Sequence, residues 1–143
     1  MAEYGRIDIV FDHFPQIARE AEEKAQKVVD KTTFDLQAAA QQNIVAMGAV
    51  DLGALLNSGY SMTSKGSDYS AAESAARSAN PTAEILSEVD RPGKLQGIVA
   101  FLVLYAIYVH DGARGRSGRP FLALAAEALR NPFFNAMKDV AKP

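Results

Sequence analysis

The sequence predicts an α+β fold, in which a small antiparallel β-sheet packs against a long N-terminal helix and a C-terminal helix. Three observations lead to this prediction. Residues 17–47 carry apolar or small side chains at every third or fourth position, as an amphipathic helix does. Short apolar segments between residues 55 and 109 are typical of strands. Pro120 then opens a second stretch of helical periodicity.

Length and composition exclude several classes of protein. The chain has 143 residues, which suits a single domain over residues 1–143. With 15 Lys and Arg against 17 Asp and Glu, the net charge of −2 argues against a surface devoted wholly to nucleic acid. Because the chain has no cysteine, disulfides and thiolate metal sites are excluded. His13 and His110 lack the spacing of metal ligands, so we expect neither a metal nor a cofactor.

The apolar segments are too short for a membrane protein. The longest run, residues 98–109, has 12 residues, whereas a spanning helix needs about 20. The first six residues do not resemble the start of a signal peptide. We therefore expect a buried element at residues 98–109, synthesis in the cytoplasm and no membrane partner.

The N-terminal third predicts one strand and one long helix. Residues 6–11 alternate as a short strand does. Pro15 suits the first turn of a helix over residues 14–47, about 50 Å long, and Gly48 is placed to end it. The stripe of this helix that faces the core is Ile17, Ala21, Ala25, Val28, Thr32, Leu36, Ala39, Asn43 and Met47.

The middle of the chain predicts strands and leaves one segment open. Asp51 and Gly53 indicate a turn before a strand over residues 55–63. The Ser- and Ala-rich residues 65–80 form either a flexible polar excursion or a short helix that Pro81 ends. Residues 82–90 and 95–103 flank a Pro-Gly turn and predict a hairpin.

The last third carries the longest apolar run. Residues 95–103 are apolar on both faces, so this strand is central or covered by a partner. Residues 104–110 either continue the strand or form a helical turn, and residues 111–119 have the composition of a loop. The last helix, which Asn131-Pro132 is expected to kink, has a predicted apolar face of Phe121, Leu122, Leu124, Ala125, Ala128 and Leu129.

The sequence contains no specific catalytic pattern. The glycines at positions 112, 115 and 118 lack the lysine of a phosphate-binding loop, and there is no serine elbow or paired zinc histidine. His110 and Asp111 are a possible acid–base pair, but no nucleophile accompanies them. We therefore expect that the protein is not an enzyme.

Three arginines form the one concentrated group of cations. Arg114, Arg116 and Arg119 lie within six residues, among glycines. They either solvate a loop or contact an acidic neighbouring subunit or the phosphates of passing DNA. Reading of bases is not expected, because no recognition helix or stacking platform accompanies them.

Three segments, taken in order, resemble a known family. The first is Val50-Asp51-Leu52-Gly53-Ala54-Leu55, the second is Tyr105-Ala106-Ile107-Tyr108-Val109-His110-Asp111-Gly112-Ala113, and the third is Arg119-Pro120-Phe121-Leu122. Together they resemble the phage tail-completion or head–tail joining proteins, over about residues 17–140. Three positions depart from the family pattern: Leu52 and Ala113 stand where it has Thr, and His110 where it has Glu. The 65–80 segment is also longer than usual.

The resemblance implies a structural virion protein of the phage neck. Such a protein forms a ring of sixfold symmetry that completes the tail around the DNA channel. Its partners would be further copies of itself, the tail-terminator or tail-tube protein, the head connector or stopper, and DNA in transit. The elements expected at interfaces are residues 65–80, the loop at residues 114–119 and the C-terminal tail. The residues of the three quoted segments are themselves expected mainly to determine the fold.

Two other functions remain open at this point. Within the structural class, the chain could be a tail terminator that caps tail length. In a different class, it could be a small DNA-binding or regulatory module acting through Arg114, Arg116 and Arg119.

Overall fold

An antiparallel sheet and two long helices organise the chain in its computed structural model, which describes residues 7–10, 19–47, 53–113, 115–140 and 142. The elements in order are β1 (Ile7–Val10), α1 (Arg19–Ala46), α2 (Gly53–Asn57), β2 (Gly59–Thr63), β3 (Gly66–Ser67), α3 (Tyr69–Ala79), β4 (Gln96–Phe101), α4 (Ala106–Asp111), β5 (Gly112–Ala113), β6 (Arg116–Ser117) and α5 (Phe121–Val140). Within these ranges the sheet has the order β1-β4-β2-β3, and α1 and α5 pack on it and on each other. The predicted α+β fold is confirmed.

Helix α1 follows the predicted stripe closely. Ala25, Thr32 and Leu36 are buried, and Asn43 is half-buried. A second row beside the stripe, including Val29 and Ala40, is also buried, because α1 contacts the sheet on one side and α5 on the other. The acidic first turn, with Glu20 and Glu22, suits the positive end of the helix dipole. Residues 14–18 and Gly48 lie outside the described residues.

Close packing of α1 on the sheet depends on a glycine in β4. A Cβ at Gly97 would lie 2.9 Å from the Cβ of Thr33 and closer still to its hydroxyl oxygen. That hydroxyl donates a hydrogen bond to the Val29 carbonyl at 2.7 Å, which fixes it in place. Gln37 holds the neighbouring strand, because its amide donates to the Gly59 carbonyl at 3.0 Å.

The prediction of a strand over residues 55–63 is wrong at its start. Residues 53–57 form the short helix α2, which the Ser58 hydroxyl closes by donating to the Leu55 carbonyl at 2.8 Å. Only Gly59–Thr63 is a strand. The error arose because a short apolar run does not distinguish a buried helical turn from a strand.

The open choice at residues 65–80 resolves as a helix after a two-residue strand. Helix α3 buries Ala72 and Ala76 against α2 and β2. Its alanines favour the helix, and Asn80 and Pro81 follow its end.

The predicted hairpin of residues 82–90 with 95–103 is confirmed only at one end, where Ile85 and Val103 pair antiparallel, and is otherwise wrong. Strand β4 pairs with β1 on one edge and β2 on the other, so both of its edges are occupied. Among the described residues, the 82–90 segment contributes to sheet pairing through the bridge between Ile85 and Val103. Of the two alternatives for residues 95–103, a central strand or one covered by a partner, the structure shows the central strand, because β4 (Gln96–Phe101) lies between β1 and β2 and Ile98–Val103 are buried.

The C-terminal third corrects two further expectations, the loop at residues 111–119 and the apolar face of the last helix. Residues 106–111 take the helical alternative, and the 111–119 segment, expected as a loop, contains the two-stranded hairpin β5–β6.

Helix α5 continues through Pro132 as one element. Its predicted apolar face is too wide, because Leu124 and Ala128 are exposed. Around the helix axis, Leu124 lies about 180° and Ala128 about 140° from Phe133, which is buried in the core.

Candidate functional site

The described residues of the three segments that carry the family resemblance lie close to one another. We call this cluster the motif junction: the start of α2, helix α4 with Tyr105, and the start of α5. The described residues of the first segment begin at Gly53, so Val50 and Asp51 lie outside them. Leu55, Ala106, Phe121 and Leu122 are buried in the main hydrophobic core, and the junction therefore anchors the chain there.

Tyr105 connects the second segment to the first. Its hydroxyl lies near the backbone N–H of Leu55, in the first turn of α2, where N–H groups have no partner within the helix. Burial raises the pKa of the Tyr105 phenol above its ordinary value, and the nearby N–H of Leu55 opposes that rise. Burial therefore favours the neutral phenol next to the first turn of α2.

His110 connects the second segment to the third. Its Nε2 accepts the backbone N–H of Ala123, at the third position of α5, at 3.2 Å. Because Nε2 accepts, the ring proton is placed on Nδ1, which donates to the Asp111 carboxylate at 2.7 Å. The imidazole also meets the Phe121 ring edge-to-face, with centroids 5.1 Å apart. His110 and Asp111 are thus in direct contact, in an arrangement that orients the ring toward α5.

Phe121 is the residue on which the junction converges. Its ring is 1% exposed and packs edge-to-face on Phe101 of β4, with centroids 5.0 Å apart. Its backbone carbonyl accepts a hydrogen bond from the Asn43 amide of α1 at 2.9 Å. The sequence placed Asn43 on the apolar stripe of α1 but gave no sign of this bond, which spans 78 positions along the chain.

The β5–β6 hairpin projects from the junction between α4 and α5. Gly112 ends α4 with φ of 89°, and Gly115 has φ of 77°, so both occupy backbone conformations that favour glycine. A Cβ at Gly118 would lie 2.5 Å from the His110 carbonyl oxygen, because the returning chain passes against the end of α4. The Arg119 N–H then donates to the Val109 carbonyl at 2.8 Å.

The predicted arginine cluster is only partly described. Arg119 is exposed next to the hairpin, whereas Arg114 lies outside the described residues and Arg116 is placed by its backbone alone.

Tyr108 of the second segment is 56% exposed, and Pro120 is half-buried. Of the other expected interface elements, the 65–80 segment exposes Lys65 beside α1, where its ammonium lies 3.1 Å from the Asp30 carboxylate.

Metal-binding and membrane-spanning features are not found in the part of the chain that the structure describes. Those residues contain no group of three His, Asp or Glu side chains placed to hold a metal ion. None of the helices within the described ranges combines the length and apolarity needed to cross a bilayer. Comparison with protein-family models, curated proteins and solved structures found no match to this chain.

Proposed function

We propose that this chain is a structural subunit of the phage neck, which completes the tail and joins it to the head connector. The single observation that supports this best is the motif junction. Three short segments, each too common to carry weight alone, resemble one family in their order. They also form one physical unit, through Tyr105 on Leu55 and His110 on Ala123.

The composition of the junction supports a mechanical role for these residues. Leu55, Ala106, Phe121 and Leu122 are buried and apolar, and the polar atoms of His110 and Tyr105 lie at backbone N–H groups. The junction fixes the angle between α4 and α5, and so sets where the β5–β6 hairpin projects. In a ring, such a hairpin would reach a neighbouring subunit or the channel.

Departure from the family pattern at His110 is compatible with this role. The family carries Glu at this position, and a carboxylate at the N-terminal turn of a helix accepts backbone N–H groups. The neutral Nε2 of His110 does the same for Ala123. Both kinds of side chain can accept a backbone N–H, so this departure from the family pattern does not conflict with the proposal.

Electron microscopy of a lysate from the encoding phage, with this gene deleted, tests the proposal. We expect filled heads beside separate tails of normal length. Overlong tails would instead assign the chain to tail-length control as a terminator. Intact and infectious virions would remove it from the neck. Complementation from a plasmid controls for effects of the deletion on neighbouring genes.

A DNA-binding role is the second candidate, supported by the exposed Arg119 beside the β5–β6 hairpin. Binding through Arg114, Arg116 and Arg119 would weaken steeply as salt rises, since each phosphate contact releases counterions. A filter-binding assay at low salt measures it, with the triple Arg→Gln variant as the control. Absence of retained DNA at low salt would exclude a stable complex and leave only passing contact in a channel.

A further inference from the structure

The buried apolar side chains form two separate clusters. The larger one fills the space between the sheet, α1, α3 and the first half of α5, and it includes Leu36, Phe101 and Phe121. We call the smaller one the latch cluster. Its members come from the N-terminal half of α1, from the turn before β4 and from the second half of α5: Ala25, Val29, Leu95, Phe133, Met137 and Val140.

Polar and small residues separate the two clusters on α1 and β4. On α1 the buried residues between the two clusters are all polar: Asp30, Thr32 and Thr33. On β4 the boundary is Gly97, where the close approach of Thr33 leaves no space for an apolar side chain. The apolar packing of the larger cluster is therefore interrupted before it reaches the latch cluster.

The boundary on α5 is Pro132. It follows the half-buried Leu129, which packs on the larger cluster, and precedes Phe133 of the latch cluster. Because proline has no N–H, the Ala128 carbonyl lacks the hydrogen bond that it would accept in a regular helix. The backbone bonding of α5 is thus weakened where its packing passes from one cluster to the other.

The two halves of α5 are held in different ways. In the first half, the Phe121 carbonyl accepts a hydrogen bond from the Asn43 amide, and the Ala123 N–H donates to His110. The second half packs on the latch cluster through three apolar side chains: Phe133, Met137 and Val140. These are 6–9% exposed, whereas Phe121 is 1% exposed. The second half is therefore the less firmly covered of the two.

Leu95 of the latch cluster is held in a strained backbone conformation. Its φ is 57°, in the left-handed region that is unfavourable for a side chain with a Cβ. Its N–H donates to Gln26 of α1 at 2.8 Å, and its side chain is buried beneath the second half of α5. Packing in the cluster therefore maintains a strain that opening of the cluster would relieve.

We propose that residues 133–140 of α5 form a latch that opens at Pro132 while the sheet, α1 and the first half of α5 stay folded. A detached segment of this length is too short to remain helical in water, so it unfolds as it leaves. Opening uncovers Ala25 and Val29 and releases Leu95. The latch is a property of the isolated chain and does not rest on the neck role. In a neck it would let the C-terminal segment move without unfolding of the domain.

Native-state hydrogen exchange of the full-length chain, followed by NMR for single amides, tests the latch. Amides of residues 136–140 should exchange about tenfold or more faster than those of residues 125–129, through an opening that depends little on urea. His110→Ala weakens the first half of α5 alone, so it should speed exchange at residues 125–129 by about tenfold and leave residues 136–140 unchanged. Equal acceleration in both halves would show that α5 unfolds as one unit and would overturn the latch.

The position of the hinge is tested by Pro132→Ala. This variant supplies the missing helical N–H and should slow exchange at residues 136–140 by about tenfold. The matched control is Asn131→Ala, at the neighbouring exposed position, which favours the helix without restoring that bond and should slow exchange by about threefold or less. Equal slowing by both variants would contradict a hinge at Pro132. Circular dichroism verifies that each variant is folded, and His110→Gln replaces His110→Ala if the latter is not.

Discussion

His110 of α4 accepts the backbone N–H of Ala123 through its Nε2 atom, at 3.2 Å, and so caps the first turn of α5 from another helix. The N–H groups of a helix's first turn have no partner within the helix, and this bond satisfies one of them. The same ring packs edge-to-face on Phe121. One side chain therefore fixes both the start and the direction of α5.

Replacement of His110 by Ala should lower the free energy of unfolding by about 1–2 kcal/mol, since it removes a capping bond and an aromatic contact. His110→Gln should lose less, because its amide oxygen can accept the same N–H. Urea denaturation measures both. The control is Glu127→Ala, at an exposed side chain of α5, where we expect a change within about 0.5 kcal/mol. Equal losses at positions 110 and 127 would contradict the capping role.

Gly97→Ala should destabilise the fold by about 1–3 kcal/mol, because the added methyl group overlaps Thr33 in the tight contact of α1 with β4. In a double-mutant cycle with Thr33→Ala, the double variant should lose less than the sum of the single losses, by about 0.5–3 kcal/mol. Gly66→Ala, which adds a methyl group in open space, is the control. If the loss of unfolding free energy in the double variant equals the sum of the two single losses, the added methyl group at position 97 does not clash with Thr33.

Tyr105→Phe should cost about 0.5–1.5 kcal/mol at neutral pH, since it removes the hydroxyl that lies near the backbone N–H of Leu55. Tyr108→Phe removes a hydroxyl from a side chain that is 56% exposed and controls for the change in chemistry. Chemical denaturation of the purified chain measures both losses, and the larger loss is expected at position 105.

Stability should fall as the pH rises through the ordinary tyrosine pKa of about 10. Burial raises the pKa of Tyr105 and of Tyr69 in the folded chain, so the unfolded chain ionises first and is favoured. The contribution of the two neutral tyrosines to the free energy of unfolding is fully present below their pKa in the unfolded chain. It is lost as the pH rises toward their higher pKa in the folded chain. Unfolding curves at several alkaline pH values should be less pH-dependent for Tyr105→Phe than for the natural chain. An unchanged slope would contradict the raised pKa.

Gly118→Ala should displace the β5–β6 hairpin, because the new methyl group meets backbone atoms of His110 and Asp111 that cannot rotate away. Trypsin cleavage after Arg114 or Arg116 should then be faster than in the natural chain at a temperature where both are folded. Gly66→Ala, at the start of β3, should leave the cleavage rate unchanged. Equal rates for Gly118→Ala and the natural chain would show that the hairpin tolerates the added group.

Local sequence pattern was sufficient for the fold class, for the long helix α1 and for the central position of β4. Each rests on a repeat of side chains that the element's own geometry imposes: every third or fourth residue on a helix, and both faces apolar in a strand covered on both sides. The sequence does not decide whether residues 69–79 form the helix α3, because an alanine- and serine-rich segment has helical propensity but little apolar surface to favour order over disorder.

The tertiary structure alone decided the pairings and contacts between distant elements. Residues 82–90 pair poorly with β4 because β1 and β2 already occupy its edges. A local sequence pattern cannot indicate that the edge of another strand is already paired. Likewise, the bonds from Asn43 to Phe121 and from His110 to Ala123 depend on where helices meet, over 78 and 13 positions of sequence. The sequence by itself determined which residues could be buried, since burial follows side-chain chemistry. Which surfaces remained open, including Phe34, Val45, Leu124 and Phe134, depended on packing between elements far apart in the chain.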